Sequence, residues 1–121
     1  MAATLANIGR NPLNDEGAFS IHCVKDMLSI MFTCGMYDYS GQWAYRVGVP
    51  AKSGVGGGVM AVVNRQMGIA TYSPKLDSHG NSCRGIEVCV ELASRLGLHV
   101  FDCLNVGSSF LGGVLDPARP R

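Results

Sequence analysis

The sequence predicts an α+β domain, an antiparallel sheet flanked by helices, and three observations carry that prediction. An apolar stripe of helical period occupies residues 20–34. Alternating and β-branched segments then run through residues 42–73, broken by the short polar "NRQ" at 64–66. A second helical stripe follows at about 82–96. The order is therefore helix, three antiparallel strands, helix, and 121 residues suffice for one such domain.

The elements follow in chain order. Ala2, Ala3, Leu5 and Ala6 read as the end of a helix, and "GRNP" after them marks a loop. Ser20 is placed to cap the next helix, because its hydroxyl can accept from an unpaired amide of the first turn. Val24, Met27, Leu28 and Met31 make its buried stripe, and Gly35 reads as its left-handed terminating residue. Trp43, Tyr45, Val47 and Val49 alternate with Gln42, Ala44, Arg46 and Gly48, the pattern of a half-buried strand. That pattern makes Tyr39, Trp43 and Tyr45 core or sheet-face side chains. Gly58–Val63 and Gly68–Ser73 form a hairpin across residues 64–66. The unbroken apolarity of Val59–Val63 makes the first of these the central strand, covered on both faces. Asn81 or Ser82 caps the last helix, whose stripe is Ile86, Cys89, Leu92, Ala93 and Leu96. Glu91 and Arg95 pair at i,i+4, and Gly97 ends it. A short apolar piece near His99–Phe101 precedes a loose "DPARPR" tail.

Composition excludes several classes. Ten basic against nine acidic residues leave a net charge of +1 with no basic stripe, so nucleic acid is not an expected partner. The longest apolar run is about five residues, far short of a membrane span, and the N-terminus lacks the pattern of a secretory signal. A cytoplasmic location is expected, or a mitochondrial one if the source is eukaryotic. The five cysteines are irregularly spaced, with no Cys-x-x-Cys pair, and the three histidines are isolated. They read as free thiols in a reducing compartment, most of them buried, and not as metal ligands.

The residues with chemical potential lie between 34 and 58, "CGMYDYSGQWAYRVGVPAKSGVGGG". Lys52-Ser53-Gly54 has the form of the triplet that lines the pocket of serine acyl-transfer enzymes, though three residues alone recur by chance. Gly54, Gly56, Gly57 and Gly58 surround Val55; amides exposed there could hold an oxyanion, or the stretch could be only a flexible turn. A phosphate-binding loop does not fit, since the lysine precedes the glycines and a strand follows. Tyr37, just past a helix end, is either a proton shuttle tuned by a nearby lysine or an amphipathic side chain packing at the terminus. Asp38 is placed to cap the following turn.

Taken together, "MFTCGMYDYSGQWAYRVGVPAKSGVGGGVMAVV" and "MGIATYSPKLDSHGNSCRG" resemble the glutaminases related to serine β-lactamases. "LANIGRNP" and "FSIHCVKDMLSIMFTCGMYD" resemble the segment before them, so the likeness runs from Met1 to about Asp116. It implies a partial β-lactamase/transpeptidase-like fold, with residues 1–116 the C-terminal portion of a catalytic domain and 117–121 a loose tail. It also implies hydrolysis of L-glutamine to glutamate and ammonia through a serine acyl-enzyme, with no metal or organic cofactor. Tyr37 matches the tyrosine that contacts substrate and transfers a proton. Val55 matches the residue whose N–H joins the oxyanion hole, and Lys52, Ser53 and Gly54 match a supporting pocket edge.

The nucleophile is not here: no serine of the chain heads a Ser-x-x-Lys motif. The sequence thus reads as the last two-fifths or so of such an enzyme, beginning inside a helix and unable alone to turn over glutamine. The alternative is a non-catalytic domain derived from a truncated glutaminase that pairs with another chain. Loss of a covering layer exposes apolar area, so a homo-oligomer is expected on either reading.

Overall fold

The computed structural model describes residues 1–102, and the 117–121 tail lies outside the described residues, as does Cys103. Four helices, α1 (Ala2–Ala6), α2 (Ile21–Cys34), α3 (Ser40–Arg46) and α4 (Cys83–Leu96), surround three strands, β1 (Ala51–Ser53), β2 (Gly58–Val63) and β3 (Met67–Tyr72). The sheet is antiparallel in the order β1-β2-β3, with Ser53 opposite Val59 and Val59 opposite Thr71. The expected α+β meander is present, and β2 is its central strand.

Alternation along β2 builds two cores. Val62 packs with Leu5, Val24, Leu28 and Met31 from α1 and α2. Val59, Ala61 and Val63 pack on the other face with Trp43 of α3, Val47 just after it, and Ile86, Cys89 and Ala93 of α4. The helix caps are the expected serines. Ser20 Oγ accepts from Cys23 N at 3.2 Å, and Ser82, not Asn81, accepts from Gly85 N at 3.2 Å. Gly97 ends α4 in the left-handed conformation, φ +61°, and Glu91 and Arg95 form their i,i+4 ion pair.

Five expectations are corrected. Residues 42–49 are not a strand: Ser40–Arg46 is α3, and the first strand lies further on, at Ala51–Ser53. Tyr39, Trp43 and Val47, spaced by four, are the buried set, whereas Tyr45 is 86% exposed and belongs to neither core nor sheet face. Gly35 is right-handed, φ −72°, and its smallness serves another purpose. A Cβ there would lie 1.7 Å from the Ala51 carbonyl oxygen, because the end of α2 passes directly against β1. Among the described cysteines only Cys89 is buried; Cys23 and Cys34 are exposed. Leu96, on the last turn of α4, is exposed instead of completing the stripe.

Candidate active-site wall

The site lies where β1 ends and β2 begins. After α2 the chain makes a 3₁₀ turn, Tyr37–Tyr39, before entering α3. Asp38 does not cap it; Ser40 fastens it instead, its hydroxyl accepting from Met36 N at 3.0 Å and donating to the Tyr37 carbonyl at 2.7 Å. This turn holds Tyr37 at φ +55°, a left-handed conformation that residues with side chains rarely take. The tyrosine hydroxyl points along β1 and donates to the Ser53 carbonyl at 3.3 Å.

Successive residues of β1 face opposite sides of the sheet, which separates the triplet into distinct roles. Lys52 faces Tyr37: its Nζ stands 4.7 Å from the centre of the tyrosine ring, a cation–π distance, and donates to the same Ser53 carbonyl. Ser53 faces the interior. Its hydroxyl is buried and has no hydrogen-bond partner among the described residues, while its N–H donates to the Gly35 carbonyl at 2.9 Å. Ser53 therefore contributes its backbone to the Tyr37–Lys52 cluster. Gly54 opens the turn into β2, which Gly57 N closes on the Gly54 carbonyl at 2.9 Å. Gly57 adopts φ +96°, and a Cβ on it would lie 2.5 Å from the Ser73 carbonyl oxygen, so only glycine lets the turn lie against the end of β3.

Val55 sits at the corner of this turn, 71% exposed, and its N–H has no hydrogen-bond partner among the described residues. It is an unspent donor on a backbone held by the bonds on either side. Tyr37 and Val55 meet at Gly80, whose Cβ position would be 3.8 Å from both Tyr37 Cε2 and Val55 Cγ1. Tyr37 and Val55, 18 residues apart in sequence, thus both lie beside a third segment.

That third segment was not singled out as part of the site. Residues 77–81 close on themselves: Asp77 Oδ1 accepts from His79 N and Asn81 N, both at 2.9 Å, and Asp77 N donates to the Asn81 carbonyl at 2.8 Å. "DSHGN" carries the signal, since an aspartate that bonds the backbone two residues on, followed by glycine, marks a compact turn. What sequence could not show is which residues that turn touches.

A separate cavity of about 920 Å³ lies at the opposite end of the sheet, between α2, the β2–β3 turn and residues 98–101. It contains none of Tyr37, Lys52, Ser53, Gly54 or Val55, and apart from Arg65 its lining has no charged group. The size of a cavity does not make chemistry; the polar groups gathered around the end of β1, Tyr37, Lys52 and the Ser53 carbonyl, are the better site.

The family model described as Glutaminase matches residues 1–101. The chain belongs to the glutaminase family. It is 59% identical over 112 residues to the Glutaminase of Nostoc sp., covering 93% of this chain and 34% of that protein. It is 50% identical over 119 residues to the mitochondrial liver isoform of glutaminase of Rattus norvegicus, covering 98% of this chain and 19% of that protein. Among solved structures, a probable glutaminase, ybaS, superposes with a TM-score of 0.80 at 50% identity, over 83% of this chain and 32% of that one. A Bacillus glutaminase superposes with a TM-score of 0.77 at 41% identity, over 81% and 35%. The fold is therefore the β-lactamase-like glutaminase fold in part, and the chain spans about a third of the bacterial relative it matches.

Proposed function

We propose that this chain forms one wall of a glutamine-hydrolysing site, the serine nucleophile being supplied from outside these 121 residues. The supporting observation is that Tyr37 and the side chain of Val55, a residue whose N–H is unpaired among the described residues, both border Gly80. Amide hydrolysis needs a nucleophile, donors for the oxyanion and a proton for a poor leaving group. In this reading the serine loses its hydroxyl proton to a base supplied with it, its oxygen bonds to the side-chain carbonyl carbon of L-glutamine, and the carbonyl oxygen, now negative, accepts from Val55 N–H. Tyr37 hands a proton to the departing nitrogen as the C–N bond breaks; water then cleaves the glutamyl ester to glutamate, its proton returning to Tyr37 while the serine oxygen takes its own proton back from the base. Lys52 places positive charge beside Tyr37, while Ser53 and Gly54 hold the strand end.

The test is complementation. The 121-residue chain is combined with the remaining part of the Nostoc glutaminase, and ammonia release from L-glutamine is followed. The chain alone is expected to be inactive, and the combination active. Tyr37→Phe should lower kcat about 10²–10⁴-fold with a smaller change in KM. Full activity of the chain alone would show that the wall is not incomplete, and an unaltered rate for Tyr37→Phe would remove the tyrosine from the chemistry.

The same reading includes self-association and a reducing compartment, cytoplasmic or mitochondrial. Self-association is supported by exposed apolar side chains such as Ile21, Ile30 and Tyr72, the reducing compartment by the free thiols of Cys23, Cys34, Cys83 and Cys89. Among the described residues no helix is long and apolar enough to cross a membrane.

A further inference from the structure

We propose that Asn81 is a positioning residue for Tyr37: it anchors the Met36–Tyr37 peptide and keeps the tyrosine in a left-handed conformation it would otherwise leave. The inference rests on the reading of Tyr37 as the proton-transfer group. A φ of +55° is unfavourable for a tyrosine, and such a conformation persists only where the surroundings over-determine it. The surroundings here do so from three directions. Asn81 Nδ2 donates to the Met36 carbonyl at 3.2 Å, across 45 residues of sequence. Ser40 Oγ bridges Met36 N and the Tyr37 carbonyl. Gly80 borders the tyrosine ring, since a Cβ there would stand 3.8 Å from it.

Asn81 is built to do this. Its side chain is fully buried, and both polar groups of its backbone are held by Asp77. It does not cap α4, because Ser82 performs that role and ties the same segment to the Ser73 carbonyl at 2.7 Å. The Asn81 amide is thus a buried, rigidly mounted donor whose partner is the peptide that sets the backbone of Tyr37. A Cβ on its neighbour Gly80 would reach both the ring and the Val55 side chain at 3.8 Å, so one loop borders both residues.

Two readouts separate this role from plain structural support. In the complemented enzyme, Asn81→Ala is expected to lower kcat about tenfold or more, with KM changed by no more than about twofold. The second readout is a thermal double-mutant cycle on the 121-residue chain. Glycine adopts positive φ freely, so in a Tyr37→Gly background the drop in Tm caused by Asn81→Ala should be smaller than in the Tyr37 background. Should Asn81→Ala fail to fold, Asn81→Ser, which stays polar but lacks the reach, supplies the same cycle. Equal drops in Tm in both backgrounds would overturn the proposal, as would a kcat that Asn81→Ala leaves unchanged. The proton-transfer reading fails separately: Tyr37→Phe would then keep the parent rate while the thermal cycle still showed coupling.

Discussion

At the scale of single residues, the site depends on backbone groups more than on side-chain chemistry. Val55 illustrates it: the side chain is exposed and apolar, yet the group the proposed function uses is the N–H at the corner of the turn closed by Gly57 N on the Gly54 carbonyl. The first corner position of such a turn accepts proline, which has no N–H. Val55→Pro is therefore expected to keep the turn and the Tm within a few degrees while lowering kcat of the complemented enzyme about 10²–10³-fold, the usual effect of losing one oxyanion donor. Circular dichroism and ammonia-release kinetics on the same preparation check both halves. Gly35 tests packing in the same way. A methyl group 1.7 Å from the Ala51 carbonyl oxygen must push α2 away from β1, and with it the Ser53 N–H bond to the Gly35 carbonyl. Gly35→Ala should cost about 3 kcal/mol in denaturant unfolding, the upper end of what overpacking does.

At the scale of elements, α3 explains the main misreading. Trp43, Tyr45, Val47 and Val49 alternate as a strand would, but Tyr39, Trp43 and Val47 recur every four residues as a helix would. A short apolar run supports both periods. Tertiary packing chose the helix, because only it buries Tyr39, Trp43 and Val47 together and lets the Trp43 indole N–H donate to the Val49 carbonyl at 2.8 Å. α4 shows the opposite case: the cap to within one residue, the stripe except Leu96, the ion pair and the stop were legible, since each is a local signal within one helix. Its buried Cys89 gives a pH prediction. Burial pushes this thiol from an ordinary value of 9.0 up to about 11. Between those values the unfolded chain has lost the proton that the folded chain retains, so stability should fall as pH rises from about 9 to about 11. The decline should flatten in Cys89→Ala when urea unfolding is compared across that range.

At the scale of the whole molecule, the two edges of the sheet differ. The outer edge of β1 is closed by the end of α2, where Ser53 N donates to the Gly35 carbonyl. β3 is the other edge strand; its sequence "MGIATY" contains no charge and no proline, and Tyr72 at its end is 77% exposed. An edge without such protection invites pairing. The 121-residue chain should accordingly form larger species as its concentration rises, read by light scattering after gel filtration, and Tyr72→Lys should shift it toward monomer. A chain that remains monomeric at all accessible concentrations would count against the self-association reading.

The sequence by itself determined the α+β class, the central strand, three of the four helices and, through its resemblance, the glutaminase family, with Tyr37 and Val55 as its proposed site residues. Each of these rests on local periodicity, on caps within a few residues, or on a long run of matching residues. The tertiary structure alone decided where those residues stand: that Ser53 turns its hydroxyl inward while Lys52 faces the tyrosine, that Gly35 is small because a strand passes it, and that residues 77–81 border both Tyr37 and Val55. Those facts depend on contacts such as Asn81 to Met36, between segments far apart along the chain. No spacing within either segment encodes the other, so only the folded packing could reveal them.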